Sequence, residues 1–239
     1  MTEVRILEID RLECRVVRYD WEFERGFGKE IEAHWAERKA ANPALYDGPV
    51  LLACRAEPRR EASGENILCV DFFEVGFSRF LAWRDFGFPD RGVYNCFAMP
   101  ALRTVDGAFL LGEMGPRHSC AGLLYFPAGT PDRSDVFDGR VDLDGSVIRE
   151  LAEETGICVE KSMFSPGWRV VFESQRIACM KIIEWPAPAS DVAARVERHI
   201  SSEDEPELAS GYMVDRREQL ADPRLPAFMT AFLEPLLER

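Results

Sequence analysis

The sequence predicts an α+β fold in which an N-terminal α/β flank, residues 1–90, packs on a core domain, residues 91–239. Two observations support this prediction. Apolar runs with the two-residue period of strands are interspersed with segments whose apolar residues recur every three to four positions, as in helices. From residue 92 the pattern changes to apolar runs typical of a hairpin and of buried strands, which places a soft boundary near residue 90.

The flank is expected to contain three strands and two helices. In chain order these are a strand over 4–20, a helix over 22–40, strands over 50–56 and 67–75, and a short aromatic-rich helix over 77–87. Phe27, Ile31 and Trp35 are spaced by four residues, which places them along one face of the first helix. Asn42-Pro43 then ends that helix.

The core domain begins with a predicted hairpin over 92–114, whose apolar arms are joined by the turn pair Asp106-Gly107. A strand over 122–127, a loop over 128–142 and a helix over about 145–155 are predicted next. Three strands follow, over 158–164, 168–174 and 177–185, and then a helix over 190–200 that is capped by Ser190. The chain ends with an acidic loop over 201–210, a short strand over 211–214 and a C-terminal helix over 225–239 that is interrupted by Pro235.

Composition excludes several classes of protein. Of the 239 residues, 46% are hydrophobic and 30% charged, which excludes disorder and a collagen-like fibre. The net charge of −13 repels phosphate backbones, so we expect no nucleic-acid partner. No apolar run approaches the roughly 20 residues of a membrane span, and the N-terminus lacks a signal peptide's apolar core. The seven cysteines are irregularly spaced, with none within four residues of another, which is typical of reduced thiols in a cytoplasmic protein.

The segment 144–157 carries the pattern that points to chemistry. Asp144 is the expected N-cap of its helix, and Gly156 the expected left-handed residue that ends it. At 100° per residue, three glutamates share an arc of about 100° on one face, which we expect to be exposed. These are Glu150, Glu153 and Glu154, and the opposite, core-facing stripe comprises Ile148, Leu151, Ala152 and Thr155.

Three carboxylates on one helix face repel each other unless a cation compensates them. Oxygen ligands at this density suit a hard divalent ion, Mg²⁺ or alternatively Mn²⁺. A partly hydrated ion of this kind is a common means of binding a diphosphate and activating a water. A glutamate that is not needed as a ligand is a candidate general base.

The run Arg-Glu-Leu-Ala-Glu-Glu-Thr-Gly-Ile at 149–157 resembles the second half of the Nudix box, the signature of Nudix hydrolases. These enzymes cleave nucleoside diphosphates linked to another moiety. The box reads G-x5-E-x7-R-E-U-x-E-E-x-G-U, where U is aliphatic, and every fixed position of its second half matches. Phe126-Pro127-Ala128-Gly129 is also similar to the Pro-Gly-Gly strand end that precedes the box in many members.

The first half of the box departs from the family pattern. Asp135 stands at the position of the glycine, and Val141 at that of the upstream glutamate. An insertion in the loop 130–143 accounts for this departure if Gly129 matches the family's strand end. The candidates to replace the missing glutamate are Asp138, Asp142 and Asp144.

The resemblance implies an α/β/α sandwich with a mixed sheet over roughly residues 92–225. It implies that Glu150, Glu153 and Glu154 bind metal, that Glu150 serves as the base, and that Arg149 orients a glutamate by ion pairing. The backbone of Gly129 is then expected to contribute a carbonyl ligand. A further acidic ligand is expected from a loop after the box, with Glu205 chosen from the candidates Glu203, Glu205 and Glu207.

The flank adds an indication of substrate. His34-Trp35, Arg38 and the run 42–48, Asn-Pro-Ala-Leu-Tyr-Asp-Gly, are similar to an element that precedes the Nudix domain in hydrolases of UDP-sugars. The resemblance thus implies a nucleoside diphosphate sugar such as UDP-glucose as the small-molecule partner. Arg117 and Arg91 are the candidate phosphate-binding residues, and the candidates for stacking on a base are Tyr94, Phe97 and Trp168.

Two alternatives remain open at this point. The broken first half of the box is compatible with a non-catalytic Nudix-fold module that binds or senses a nucleotide. An isomerase of an isoprenoid diphosphate on the same fold needs a cysteine in the pocket, for which Cys96 and Cys120 are the candidates. The apolar C-terminal helix completes a monomer's core or forms the interface of a homodimer.

Overall fold

The structure is a computed structural model that describes residues 4–116, 118 and 120–237. Its N-terminal elements are two strands, two helices, two further strands and one helix. They are β1 (Val4–Ile9), β2 (Arg11–Val16), α1 (Glu22–Gly26), α2 (Gly28–Ala41), β3 (Pro49–Arg60), β4 (Asn66–Gly76) and α3 (Phe77–Asp85).

The remaining elements build most of the larger sheet and its covering helices. They are β5 (Asn95–Thr104), β6 (Phe109–Met114), β7 (Leu124–Tyr125), β8 (Val136–Phe137), β9 (Arg140–Val141), α4 (Leu143–Thr155), β10 (Trp168–Glu173), β11 (Arg176–Trp185), α5 (Ala189–Ser202), β12 (Leu208–Val214) and α6 (Ala227–Leu233). Three short 3-10 turns lie at Arg133–Asp135, Lys161–Met163 and Arg217–Ala221.

Two mixed sheets organise the chain. The larger has the order β1-β10-β11-β5-β6-β12, with β7 paired to β6, and its only parallel pair among the described strands is β11 with β5. The smaller has the order β3-β4-β2-β9-β8 and is parallel between β2 and β4. Because β1 joins the larger sheet while β8 and β9 join the smaller one, each sheet contains strands from both sides of residue 90.

Helices cover both faces of the larger sheet. Alternate residues of β5 point to opposite faces, and both sets are apolar, as expected for a central strand. Cys96 and Leu102 pack with α4 and α5 on one face, whereas Phe97 and Met99 pack with α6 on the other. This arrangement confirms the predicted α+β class and its α/β/α layering around a mixed sheet.

The smaller sheet and helices α1 to α3 enclose a separate aromatic core. Trp21, Phe73 and Trp83 meet at ring-centroid distances of 5.6 Å and 6.0 Å from Trp21 to its two partners. The indole N–H of Trp21 donates to the Asp90 carboxylate at 2.9 Å. Large aromatic side chains stabilise such a core through the area that they bury.

Two flank elements differ from the sequence expectation. The strand predicted over 4–20 is two strands separated at Asp10, and these belong to different sheets. The helix predicted over 22–40 is interrupted at Phe27, whose backbone leaves the helical region at φ −118° and ψ 22°. As a result Phe27 is 41% exposed, Trp35 is only half-buried, and Ile31 is the one member of the predicted stripe that is buried.

The strand predicted over 158–164 is wrong, because that segment forms the 3-10 turn at Lys161–Met163. β10 already occupies one side of β11 as far as Met180, and β5 occupies the whole of the other side. Beyond Met180, where β10 no longer pairs with β11, the segment forms one bridge with that strand, between Phe164 and Ile183.

Several element ends also differ from the prediction. The strand at 122–127 contracts to Leu124–Tyr125, and the loop over 128–142 contains a 3-10 turn and the hairpin of β8 and β9. No side chain caps α5, which follows Pro188 rather than starting from Ser190. Between residues 4 and 237, outside the two omitted positions, no helix is long and apolar enough to cross a bilayer.

Candidate active site

Helix α4 carries the acidic residues of the candidate site, and the chain segment 126–129 covers two of them, Glu150 and Glu154. Val147 and Leu151 are fully buried against the larger sheet, which fixes the orientation of the helix. Asp142, not Asp144, is the N-cap, and its carboxylate accepts from the N–H of Gly145 at 3.0 Å. Gly156 ends the helix at φ 69°, as the sequence predicts.

The acidic face is not the open surface that the helical periodicity predicts. Glu150 is only 7% exposed and Glu154 5%, while Glu153 is exposed. The reason is tertiary: the chain segment 126–129, which follows β7, crosses over the two buried carboxylates. Periodicity gives the face of the helix on which a residue lies, but not what covers that face.

The covering segment contacts both carboxylates through its backbone. The N–H of Ala128 donates to Oε1 of Glu154 at 2.7 Å. Gly129 lies so close to Glu150 that a Cβ at this position would be 2.3 Å from Oε1. A larger residue here would force the Glu150 carboxylate or the loop to shift, because the backbone approaches that side chain closely.

Glu150 and Glu154 lie in surroundings that disfavour the ionised form of both carboxyl groups. Burial raises the pKa of Glu150 to about 7, against the opposing effect of Arg149, and the negative charges of Glu153 and Glu207 add to the rise. Burial, with the charges of Glu150 and Glu207, also raises the pKa of Glu154 well above its ordinary value. The second oxygen of Glu154, Oε2, is buried without a hydrogen-bond partner among the described residues.

Arg149 connects the buried pair to an aspartate. Its Nη1 lies 2.8 Å from Glu150 Oε1 and 3.2 Å from Glu153 Oε2. Its Nη2 donates to both carboxylate oxygens of Asp135, at 3.1 and 3.2 Å. Asp135 is buried, whereas the Arg149 side chain is 32% exposed, so only the aspartate of this pair is withdrawn from solvent.

The turn that carries Asp135 is held by the smaller sheet. The N–H of Leu51 donates to the carbonyl of Pro131 at 2.7 Å, and Arg133 donates to the Glu74 carboxylate at 2.6 Å. Asp135 also accepts from the N–H of Asp132 at 3.0 Å. The N-terminal strands thus position the loop that supplies Asp135.

The donor chemistry of the pair fits a hard divalent cation. The site offers carboxylate oxygens, one of which is buried and unpartnered, and a cation would offset the cost of ionising both groups. The side chains around the pair do not form a complete set of metal ligands. Within the described part of the chain, no group of three or more His, Cys, Asp or Glu side chains is arranged to hold a metal.

The acidic loop over 203–207 approaches the pair through Glu207. Its carbonyl accepts from the N–H of Gly115 at 2.7 Å, and its charge raises the pKa of both Glu150 and Glu154. Glu203 instead lies 3.4 Å from the ring of His199. Glu205 is exposed in the same loop.

Of the predicted phosphate-binding and base-stacking residues, those that the structure describes are engaged within the fold. Arg91 donates to Gln175 at 2.6 Å and to Ser174 at 3.3 Å, and Arg117 lies outside the described residues. Phe97 packs against Phe228 in the core, with ring centroids 6.4 Å apart.

The remaining stacking candidates are also engaged within the fold. The ring of Trp168 lies 4.0 Å from the Lys181 ammonium. Tyr94 is half-buried, and its backbone pairs with Ala53.

The ion pair of Asp135 with Arg149 was not expected from the sequence, in which Asp135 stands at the glycine position of the box. The one feature of the sequence that could have indicated this ion pair is the acidic residue itself, 14 positions before Arg149. The aspartates proposed to replace the missing glutamate lie elsewhere. Asp142 caps α4, Asp144 lies 3.9 Å from Lys181, and Asp138 is exposed with φ 50°.

No protein-family model and no curated protein matches the sequence. Solved structures do match. The MutT protein from Methanosarcina mazei Go1 is 22% identical, with 60% of this chain and 92% of that chain covered and a TM-score of 0.42. The Nudix hydrolase RenU from M. smegmatis is 16% identical, with 59% and 81% covered and a TM-score of 0.37.

A third match is a bifunctional NMN adenylyltransferase/ADP ribose pyrophosphatase from Francisella tularensis. It is 13% identical, with 51% of this chain and 34% of that chain covered and a TM-score of 0.36. Nudix hydrolases are thus among the solved proteins to which this chain is similar, and theirs is the family that the motif at 149–157 resembles.

Proposed function

We propose that this chain is a Nudix hydrolase that cleaves the diphosphate linkage of a nucleoside diphosphate derivative with the help of Mg²⁺. The observation that carries the proposal is the buried pair Glu150 and Glu154, with the unpartnered Oε2 of Glu154. Two buried carboxylates on adjacent helical turns are costly unless a cation binds them. A purely structural role would favour neutral or apolar residues at these positions.

Glu150 and Glu154 would hold the ion, which would neutralise charge on the diphosphate oxygens. Glu153, although exposed, lies beside Arg149 at the edge of the same face and is the third proposed ligand. The backbone of Gly129 and a loop carboxylate complete the set. Mn²⁺ has the same preference for oxygen ligands and is the alternative ion.

The chain's own groups supply positioning and proton transfer. Arg149, fixed by Asp135, holds the Glu150 carboxylate in one orientation. Glu150 is the proposed base and would accept a proton from a water that attacks phosphorus in line. The P–O–P bridge then breaks to give a nucleoside monophosphate and a phosphorylated moiety.

For the substrate we propose a nucleoside diphosphate sugar. The supporting features are the flank element around Trp35 and 42–48, and the contacts through which the N-terminal strands hold the loop 130–135 beside the carboxylates. Arg91 and Arg117 stay the proposed phosphate-binding residues. A cytoplasmic location and a monomer or homodimer stay predictions from the sequence.

A non-catalytic nucleotide-binding module is the second candidate. The binding module is favoured by the fact that the described residues do not form a complete set of metal ligands. The retention of both buried glutamates argues for the hydrolase, because a module without catalysis has no need to carry the cost of burying them.

A substrate screen separates the two candidates. Purified full-length protein is incubated with Mg²⁺ and UDP-, ADP- and GDP-sugars, dinucleoside polyphosphates, NADH and nucleoside triphosphates, and products are separated chromatographically. The hydrolase predicts cleavage of one class, lowered by orders of magnitude in Glu154→Gln. Glu160→Gln, an exposed residue beyond the end of the same helix, is the matched control and should retain activity.

Cleavage of UDP-glucose would support the flank resemblance. Tight Mg²⁺-dependent binding of a nucleotide without products, measured calorimetrically, would instead support the binding module.

A further inference from the structure

Helix α5 supplies hydrogen-bond donors to the end of α4 that carries Glu153 and Glu154. Nε and Nη2 of Arg195 donate to the carbonyl of Gly156, at 3.2 and 2.7 Å. Nε2 of His199 lies 2.8 Å from the carbonyl oxygen of Glu153. Because a carbonyl oxygen only accepts hydrogen bonds, this ring nitrogen carries the hydrogen and donates it.

The ring of His199 packs directly on the glycine that ends α4. A Cβ at Gly156 would lie 2.8 Å from Nδ1 and 2.9 Å from Cγ of that ring. Gly156 also has a φ of 69°, which residues with a side chain rarely adopt. The glycine of the motif therefore both ends the helix and leaves room for the imidazole.

The donors from α5 offset an unfavourable electrostatic arrangement. The carbonyl end of a helix carries partial negative charge, so carboxylates there destabilise the helix, whereas cations and hydrogen-bond donors stabilise it. Helix α4 has Glu153 and Glu154 in its last turn and no basic residue there. The compensation comes instead from Arg195 and His199 of the neighbouring helix.

His199 also faces the acidic loop over 203–207. Its Nε2 lies 3.4 Å from Oε1 of Glu203, the residue that follows α5. The same loop leads to Glu207, whose charge raises the pKa of both buried glutamates of α4. One imidazole thus lies between the helix and the loop that supply carboxylates to the candidate metal site.

We propose that His199 is a positioning residue of this metal site, which holds the last turn of α4 and the acidic loop in the relative arrangement that binds the divalent ion. It acts on the carboxylates of α4 through the backbone of Glu153, and on Glu207 through the loop that begins at Glu203. This inference rests on the proposed function, because it concerns the metal ion of that site.

A positioning residue and a simple helix cap differ in one measurable property. A cap stabilises the folded state but leaves the metal affinity of the folded protein unchanged. Loss of a residue that orients metal ligands instead weakens metal binding in protein that is still folded. Metal affinity and melting temperature must therefore be measured on the same variants.

The test measures Mn²⁺ binding to the full-length protein by electron paramagnetic resonance, without nucleotide. The temperature is one at which circular dichroism shows every variant to be folded. We expect His199→Ala to weaken Mn²⁺ binding about tenfold. His199→Gln keeps a side-chain N–H donor and should recover most of the affinity. Arg198→Gln, which changes the exposed residue before His199, should bind Mn²⁺ as the unsubstituted protein does.

Val192→Ala separates positioning from stability. Val192 is 1% exposed on the same helix, so its truncation should lower the melting temperature. Because Val192 contributes neither a hydrogen bond to α4 nor a contact with the acidic loop among the described residues, we expect Mn²⁺ affinity to stay unchanged.

Equal Mn²⁺ affinities of His199→Ala and the unsubstituted protein would overturn the proposal. An equal loss of affinity in His199→Ala and Val192→Ala would also overturn it, because destabilisation alone would then account for the effect. An unsubstituted protein that binds no Mn²⁺ would contradict the proposed function and, with it, the role of His199.

Discussion

Asp135 accepts two hydrogen bonds from Nη2 of Arg149, at 3.1 and 3.2 Å, while Nη1 of the same guanidinium lies 2.8 Å from Glu150. A residue at the glycine position of the Nudix-like motif is therefore connected, through one arginine, to a buried glutamate of the helix. The arrangement ties the altered first half of the motif to its intact second half. Asp135 acts as a positioning residue, since it reaches Glu150 only through Arg149.

Replacing Asp135 should therefore lower activity without removing a metal ligand. We expect Asp135→Ala to reduce kcat about 10- to 100-fold, the usual effect of losing a group that orients a ligand. It should also destabilise the protein by about 2 kcal/mol, because a hydrogen-bonded charge loses its partner. Steady-state kinetics and thermal unfolding measure the two effects.

Asp138→Asn is the matched control, since Asp138 is exposed in the same loop and asparagine tolerates its φ of 50°. Equal kcat values for Asp135→Ala and Asp138→Asn would contradict the positioning role. Asp135→Glu, which keeps the charge, should recover part of the lost activity.

Adding a side chain at Gly129 should displace the Glu150 carboxylate. In Gly129→Ala the new Cβ would lie 2.3 Å from Oε1 and 2.8 Å from Cδ of Glu150, so the carboxylate or the loop must move. Overpacking of this kind costs about 1–3 kcal/mol, and displacement of Glu150 should lower activity at least tenfold. Gly28→Ala is the control, because a Cβ there meets nothing within 4 Å. The same kcat in both variants would show that the close contact has no catalytic consequence.

The metal-free protein should become less stable as the pH rises from about 4.5 to above 7. The folded-state pKa of Glu150 is about 7 and therefore lies above the unfolded value, so the folded state binds more protons across this interval. Its contribution is fully present below the unfolded pKa and is lost as the pH rises through 7. The loss from Glu150 alone is about 3 kcal/mol, since one pKa unit corresponds to about 1.4 kcal/mol.

Chemical denaturation of the metal-free protein at pH 5 and pH 8 measures this loss. Glu150→Gln should flatten the pH dependence and be more stable than the unsubstituted protein at pH 8. Glu153→Gln, which changes an exposed carboxylate, should keep most of the slope. Added Mg²⁺ should restore stability at pH 8 in the unsubstituted protein. A slope unchanged by Glu150→Gln would assign the pH dependence to other groups.

The loop carboxylate whose charge acts on the buried pair, Glu207, should contribute to metal affinity. Glu207 influences both buried glutamates, so Glu207→Gln is expected to weaken Mg²⁺ binding about tenfold, as measured by isothermal titration calorimetry or by Mn²⁺ competition. Glu205→Gln in the same loop tests the residue chosen from the sequence. A larger loss in Glu205→Gln than in Glu207→Gln would support the sequence-based assignment of Glu205.

The helix and its acidic residues could be predicted because they depend on local properties. Of the predicted core-facing residues of α4, Leu151 and Thr155 are buried, whereas Ile148 and Ala152 are only half-buried, and Gly156 ends the helix as predicted. The Asp106-Gly107 hairpin and the long central strands were likewise recognisable, since turn chemistry and apolar alternation act over a few neighbouring residues.

Element ends were less predictable where a distant partner decides them. The strand expected at 158–164 failed because β11 offers that segment one bridge only, and the strand expected at 4–20 divides between two sheets. Neither outcome depends on local composition. Both depend on how these segments pair with strands that are distant in the sequence.

The sequence by itself determined the fold class, the position of the box-like helix and the set of carboxylates on its acidic face. Only the tertiary structure decided that Glu150 and Glu154 are buried, that Gly129 contacts one of them, and that Asp135 holds Arg149. The physical reason is that periodicity is a property of one helix, whereas burial and ion pairing come from chain segments that folding brings together.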